Sequence, residues 1–353
     1  VTGRTTGLPP YPTESPAFPA NLDEGEELFK VDLAQIKGLI SSDIVSVEEV
    51  ISQALESESR PVEELVSHVS QYSGKRLRPA LILLTAKALG DLNEDHIRLA
   101  AVIELIHTAT LVHDDILDGA SMRRRIESVN ALHGNHVSVL LGDMIYANAF
   151  KLSLSLSTVD AAKALAEVTR TICAGEIEQI FYRYEFDLSE ERYYAIIGAK
   201  TASLYGAACE LAAHYCGAAP EVQARLKDYG YFLGTAFQIV DDCLDIVGEE
   251  KVVGKSLGTD IERGKMTLPL MHLSRTLPPE GVKRLEEIFH SKEMTDKSAI
   301  IEKEFNLRAS LDYAFGEADR FVQAGLDGLE CLESSLYKEA LIEAARFVLV
   351  RKV

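Results

Sequence analysis

Two acidic runs echo each other in this chain: Asp114-Asp115-Ile116-Leu117-Asp118 and Asp241-Asp242-Cys243-Leu244-Asp245. Each places three carboxylates within an otherwise apolar, helix-patterned segment. Carboxylates crowded in this way repel one another, and apolar surroundings raise the cost of keeping them ionised. A chain that does this twice calls for a cation between the two groups. A hard divalent ion such as Mg²⁺ suits, because it takes carboxylate and phosphate oxygens alike.

On a helix, Asp114 and Asp118 project from one face a turn apart, and so do Asp241 and Asp245. His107 lies two turns before Asp114 on nearly the same face, and Glu104 extends that stripe. Gln238 stands on the same side of the second run, just before Asp241. Ile103, Leu105, Ile106, Leu111 and Val112 surround the first stripe, and Phe237, Ile239, Val240, Leu244 and Ile246 the second. So much polarity inside apolar packing fits the wall of a wet cavity better than a solvated helix face. Calcium storage is the competing metal reading, but neither run has the loop glycine or ligand spacing of an EF-hand.

Cations accompany the acid runs. Lys75, Arg76 and Arg78 sit in a turn before an apolar helix, and Arg123-Arg124-Arg125 follows the first run. Lys251, Lys255, Arg263 and Lys265 lie in the Gly-containing stretch after the second. Arginine forms bidentate bonds to phosphate, and lysine acts on it as a point charge. In a chain of net charge −19, this joint placement suggests a polyphosphate held by Mg²⁺ on one side and by Arg and Lys on the other.

The elements that must position these groups read as helices. Helical periodicity starts near Glu24, with breaks near Gly74, Gly90, Gly134, Ser189, Gly217 to Pro220, Gly248 to Gly264 and Pro278. No alternating strand pattern stands out. The 353 residues are Ala- and Leu-rich and contain no Trp, so the expectation is one all-α domain over residues 23–353 around a central cavity. Residues 1–22 carry five prolines and read as a disordered or extended arm. The negative charge argues against nucleic-acid binding. Five scattered cysteines read as reduced core residues. No transmembrane segment or secretory signal is expected, which points to a cytoplasmic protein.

From about Tyr72 onward the chain resembles the trans-isoprenyl diphosphate synthases, the head-to-tail polyprenyl transferases. The resemblance rests on Gly-Lys-Arg-Leu-Arg-Pro at 74–79, Glu-Leu-Ile-His at 104–107, the two acid runs, Arg123-Arg124, Gly142-Asp143, Lys200-Thr201, Phe237-Gln238, and Gly254-Lys255 through Gly264-Lys265. It implies the all-α isoprenoid synthase bundle, usually a homodimer. It further implies that Lys75, Arg78, His107 and Arg124 bind isopentenyl diphosphate, and that Asp114, Asp118 and Asp241 are the principal Mg²⁺ ligands, with Asp242 and Asp245 in support. Arg123, Lys200, Thr201, Gln238, Lys255 and Lys265 would contact the allylic diphosphate. One residue departs from the family pattern: Arg125 stands where a glycine usually follows the arginine pair.

The implied chemistry is ionisation of the allylic diphosphate to a cation, attack by the isopentenyl double bond, and proton loss to the released diphosphate. Short-chain synthases usually carry a bulky aromatic about a turn before the first acid run. Ala109 and Thr110 are small, so a long-chain product is expected, and Ala109→Phe or Ala109→Tyr is expected to shorten it. A class I terpene cyclase and a non-catalytic partner subunit of a heteromeric synthase are the alternatives. The retained second Asp run weighs against both, and the Gly-Lys-Arg segment against the cyclase.

Overall fold

In a computed structural model of the chain, residues 33–72, 74, 76–247 and 258–350 are described. The Pro-rich arm, Lys75, Lys251, Lys255 and the C-terminal Arg351-Lys352 lie outside them. The described chain runs through α1 (Leu33–Leu55), α2 (Arg60–Ser70), α3 (Leu77–Leu89) and α4 (Glu94–Leu117). A hairpin of β1 (Met122–Arg123) and β2 (Ile126–Glu127) follows, then α5 (Val129–His133), α6 (Asn135–Ser153), α7 (Asp160–Phe181) and α8 (Glu190–Ile197). A π-helical turn over Gly198–Ala202 leads into α9 (Ser203–Tyr215) and α10 (Pro220–Val247). The remaining helices are α11 (Thr259–Glu262), α12 (Leu268–Thr276), α13 (Pro279–His290), α14 (Lys297–Glu304), α15 (Arg308–Gly328) and α16 (Leu336–Leu349).

Local chemistry sets these boundaries. Asn93 opens α4: its side chain accepts from Asp95 N at 3.0 Å, while His96 Nδ1 accepts from Asn93 N at 3.1 Å. This closes a capping box, with Glu94 and Asp95 favourably placed against the helix dipole. Ser189 opens α8 in the same manner, and Gly90, at φ 86°, ends α3. The centre of α4, from Leu99 through Ile106, is apolar nearly all round and its apolar side chains are at most 1 % exposed, as befits a helix surrounded by others. α4 packs chiefly along α6, and α10 along α9 and α15. Buried apolar side chains form one continuous cluster from Ile40 to Val348. Among the described residues no helix is long and apolar enough to cross a membrane.

Three details differ from the sequence expectation. The β1–β2 hairpin is a small strand pair that no alternation announced. Its two-residue turn places Arg124 and Arg125 in the left-handed region, at φ 51° and 68°. A tight hairpin turn of this kind demands positive φ at both central residues, which Asn-Gly usually provides and Arg-Arg does not advertise. The cysteines are unbonded, but Cys173 is exposed at a cavity wall and so is not a core residue like Cys209 and Cys243. The sequence also gives no warning of the wide π turn that carries Lys200 and Thr201.

Candidate active site

Both acid runs fall at C-terminal helix ends, the first on α4 and the second on α10. Helix C-termini carry partial negative charge, so the backbone adds to the carboxylates and sharpens the need for cations. Asp114, Asp118 and Asp241 line one cavity of about 560 Å³. Asp118 stands just past the end of α4, as its cap residue. Its carboxylate lies 3.4 Å from Arg183, 3.5 Å from Arg263 and 3.7 Å from Lys265. Arg263 also donates to the Asp118 carbonyl.

The other carboxylates face elsewhere. Asp115 is 1 % exposed, and its Oδ1 accepts from Arg123 Nε at 2.8 Å and from Arg123 Nη2. Burial pushes the Asp115 carboxyl up and Arg123 pulls it back down. Asp242 accepts from the Tyr193 hydroxyl at 2.7 Å and from Gln238 Nε2 at 2.8 Å. Burial first, then the charge on Asp260, holds its carboxyl well above the usual range. Asp242 borders a separate cavity of about 60 Å³. Asp245 accepts from Thr259 Oγ1 at 3.2 Å and from Asp260 N at 2.9 Å. It thereby ties α10 to the first turn of α11. Asp242 and Asp245 were expected as supporting metal ligands. In this structure their oxygens accept protein hydrogen bonds and neither residue lines the larger cavity.

The cations divide in the same way. Arg78 lines the cavity, stacks over the Tyr205 ring at 4.3 Å, and keeps a buried Nε with no hydrogen-bond partner among the described residues. An orphaned buried guanidinium donor is costly unless an anion arrives. His107 shares this wall. Burial, then Arg78, Arg124, Arg123 and Arg76, hold its pKa well below the usual value, so it is a neutral imidazole near pH 7. Lys200 and Lys265 line the cavity as well, with Lys265 3.0 Å from Asp260. Lys200 lies 2.5 Å from Glu176 and donates to Gln179 Oε1 at 3.0 Å. Burial opposes its charge, but Asp114 and Glu176 outweigh burial and raise its pKa. Thr201 donates to Gln238 Oε1 at 2.8 Å, and Gln238 passes the bond on to Asp242.

Two arginines and one glutamate depart from expectation. Arg124 does not line the cavity; it donates to the Tyr72 carbonyl and packs on Gly74. Arg123 lines the cavity but is ion-paired to Asp115. Glu104, read as part of the reactive stripe, pairs with Arg76 at 2.5 Å, and Arg76 also grips Glu48 at 2.6 and 3.0 Å. That three-way tie neutralises Arg76 and pins the turn before α3 to α1 and α4. Sequence reasoning left Glu176 without a role and missed Arg183, Tyr193 and Asp260. The pattern Gly-Glu-x-x-Gln at 175–179 was the visible clue to Glu176.

The apolar side of the cavity includes Leu111, Ile172, Leu204 and Phe237. Thr110 stands on this wall, whereas Ala109 is 0 % exposed and belongs to the core cluster. The small residue that borders the open space is therefore Thr110.

Fold, acid runs and cation wall together define a class of enzyme, and comparison with known proteins agrees. The family model for polyprenyl synthetase matches residues 59–306. The chain belongs to this family, and its fold is the all-α isoprenoid synthase bundle. It is 34 % identical over 321 residues to the octaprenyl diphosphate synthase of Escherichia coli (strain K12), covering 91 % of this chain and 99 % of that protein. The octaprenyl diphosphate synthase of Haemophilus influenzae is 36 % identical over 323 residues, covering 91 % and 97 %. A crystal structure of polyprenyl synthase from Caulobacter crescentus CB15, complexed with calcium and isoprenyl diphosphate, matches with a TM-score of 0.86. Its identity is 33 %, over 90 % of this chain and 97 % of that one.

Proposed function

We propose that this protein is a prenyltransferase that builds a long-chain all-trans polyprenyl diphosphate from an allylic diphosphate and isopentenyl diphosphate. The observation that carries the reading is one cavity with three kinds of wall. Carboxylates from two helices, Asp114, Asp118 and Asp241, share it with the cations Arg78, Lys200, Arg263 and Lys265 and with an apolar side. The octaprenyl synthase relatives support the long-chain product.

The donor set fits Mg²⁺. Among the described residues no three His, Cys, Asp or Glu side chains converge into a ready-made cage. Mg²⁺ characteristically takes only one or two carboxylates and completes its shell with phosphate oxygens and water. Asp114, Asp118 and Asp241 are the residues that would hold such ions, one or two carboxylates to each. When bound, the metal supplies charge neutralisation to the departing diphosphate.

The protein's own groups do the rest. Lys200, Arg263 and Lys265 grip the allylic diphosphate and stabilise charge as it leaves. Arg78 and neutral His107, with Lys75 and Arg124 as further family-implied contacts, hold the isopentenyl diphosphate. Its double bond is thereby set against the allylic carbon. Leu111, Leu204 and Phe237 keep water from the cation. As the family resemblance implies, the released diphosphate takes the proton. The chain then extends along the wall marked by Thr110.

Outside the cavity lining, α6 and α7 expose the apolar side chains Val139, Leu140 and Phe181. They support a homodimer joined through these helices. The test of the function is direct. The isolated protein, given Mg²⁺, isopentenyl diphosphate and farnesyl diphosphate, is expected to release products of thirty carbons or more by mass spectrometry. No isopentenyl consumption, or activity only after a second protein is added, would refute the reading in favour of a partner subunit.

A further inference from the structure

We propose that Gly175, Glu176 and Gln179 on α7 form a socket that aims the Lys200 ammonium at the allylic diphosphate. This inference rests on the preceding functional reading and assigns a role to three residues that reading does not use. A lysine is a point charge on a flexible stem, and its three N–H donors have no preferred direction of their own. Here an ion pair with Glu176 at 2.5 Å and a hydrogen bond to Gln179 Oε1 at 3.0 Å restrain the ammonium. Glu176 and Gln179 are three residues apart on α7, so one helical face presents both.

The backbone is fitted to the same end. Lys200 sits in the π turn of Gly198–Ala202, a wide turn of the kind often found at functional sites. α7 approaches this turn closely because Gly175 has no side chain. A Cβ there would lie 2.8 Å from Ala199 Cβ and 3.0 Å from Lys200 N. Lys200 and Glu176 both line the main cavity, and Lys200 and Gln179 also border the smaller cavity behind it. The lysine thus stands as a partition between the two cavities, held by Glu176 on the main side and by Gln179 on the smaller one.

The socket has a distinctive kinetic consequence. Glu176 is a carboxylate on the wall of a site that takes diphosphate, and its contact here is with Lys200. Removing its charge leaves ground-state binding intact or tighter and mis-aims Lys200 in the transition state. Glu176→Gln is therefore expected to lower kcat at least tenfold without raising KM for the allylic diphosphate. Lys200→Gln is expected to lower it further, and the double variant E176Q/K200Q to match K200Q within about twofold. Gly175→Ala and Gln179→Leu, each confirmed folded by thermal melting, are expected to show the same loss and the same non-additivity with K200Q. The socket is overturned if E176Q keeps kcat within twofold of the parent, if it raises the allylic KM with kcat intact, or if its effect multiplies with that of K200Q. A parent protein without turnover would instead sink the functional reading. The same cycle, read in the affinity for inorganic diphosphate by calorimetry, would then judge the socket alone: a change in affinity with E176Q that vanishes in the K200Q background supports it, and no change, or one that persists in that background, overturns it.

Discussion

The two acid runs are nearly the same sequence at the same kind of helix end, yet their carboxylates face different surroundings. In the first, Asp114 and Asp118 reach the cavity and only Asp115 turns inward, onto Arg123. In the second, only Asp241 reaches it. Asp242 is held by Tyr193 and Gln238, and Asp245 fastens the segment that brings Asp260, Arg263 and Lys265 to the site. The difference teaches that spacing alone does not assign duty. A carboxylate at the right turn of a helix becomes a ligand candidate only if it also reaches the cavity.

An Asp→Asn series separates these duties with the largest expected effects. Asp114→Asn and Asp241→Asn should each lower kcat roughly 10²–10³-fold, as removal of one electrostatic element of an active site does, while leaving the melting temperature nearly unchanged. Asp115→Asn should do the reverse. It leaves Arg123 without its buried partner, and urea unfolding should show a loss of about 2 kcal/mol. That is below the ~3–5 kcal/mol of a fully enclosed pair because Arg123 still reaches the cavity. Equal melting temperatures for D114N and D115N would erase the distinction within the first run.

The wall beside that run sharpens the comparison further. Thr110→Phe should shorten the product seen by mass spectrometry. Ala109→Phe, the substitution that the family resemblance suggests, should instead cost about 1–3 kcal/mol of stability by overpacking the core. Shortened products from A109F with unchanged stability would restore the simpler reading.

Much of this was legible in the sequence. Helix starts at Ser189, Pro220 and Pro279, the end at Gly90, and the shared stripes of His107 with Asp114 and of Gln238 with Asp241 follow from periodicity and residue type, while Lys200 was placed at the site by the family resemblance. What was hidden depends on contacts distant along the chain. Glu104 looked functional until Arg76 was found against it. The sequence does not show Tyr193 bonded to Asp242 or Asp260 N bonded to Asp245. The π turn and the Arg124-Arg125 hairpin are backbone choices enforced by packing, and no local preference of Gly-Ala-Lys-Thr-Ala or Arg-Arg announces them.

His107 gives a pH signature on the isopentenyl side of the site. Its pKa is depressed in the folded protein by burial and by Arg78 and its fellow arginines. The unfolded chain therefore binds more protons below pH ~6.5, and stability rises with pH there. The His107 contribution is fully present above the unfolded pKa and is lost as pH falls below it. His107→Gln should flatten the decline in melting temperature between about pH 6.5 and 5, whereas an unchanged slope would place the acid sensitivity elsewhere. The smallest effect belongs to the hairpin. Arg125→Gly relieves a left-handed side-chain conformation at φ 68° and should stabilise the fold by up to about 1 kcal/mol in urea unfolding. A loss of stability would mean that the Arg125 side chain contributes more than its backbone strain costs.

The central claim is that Asp241, and not Asp245, represents the second run in the cavity. Calorimetric titration of Mg²⁺ into the protein with inorganic diphosphate present tests it most directly. The geometry predicts that Asp245→Asn binds the metal as the parent does, while Asp241→Asn binds it at least about tenfold more weakly. Equal weakening in both variants, or in neither, would contradict the division of labour between these carboxylates.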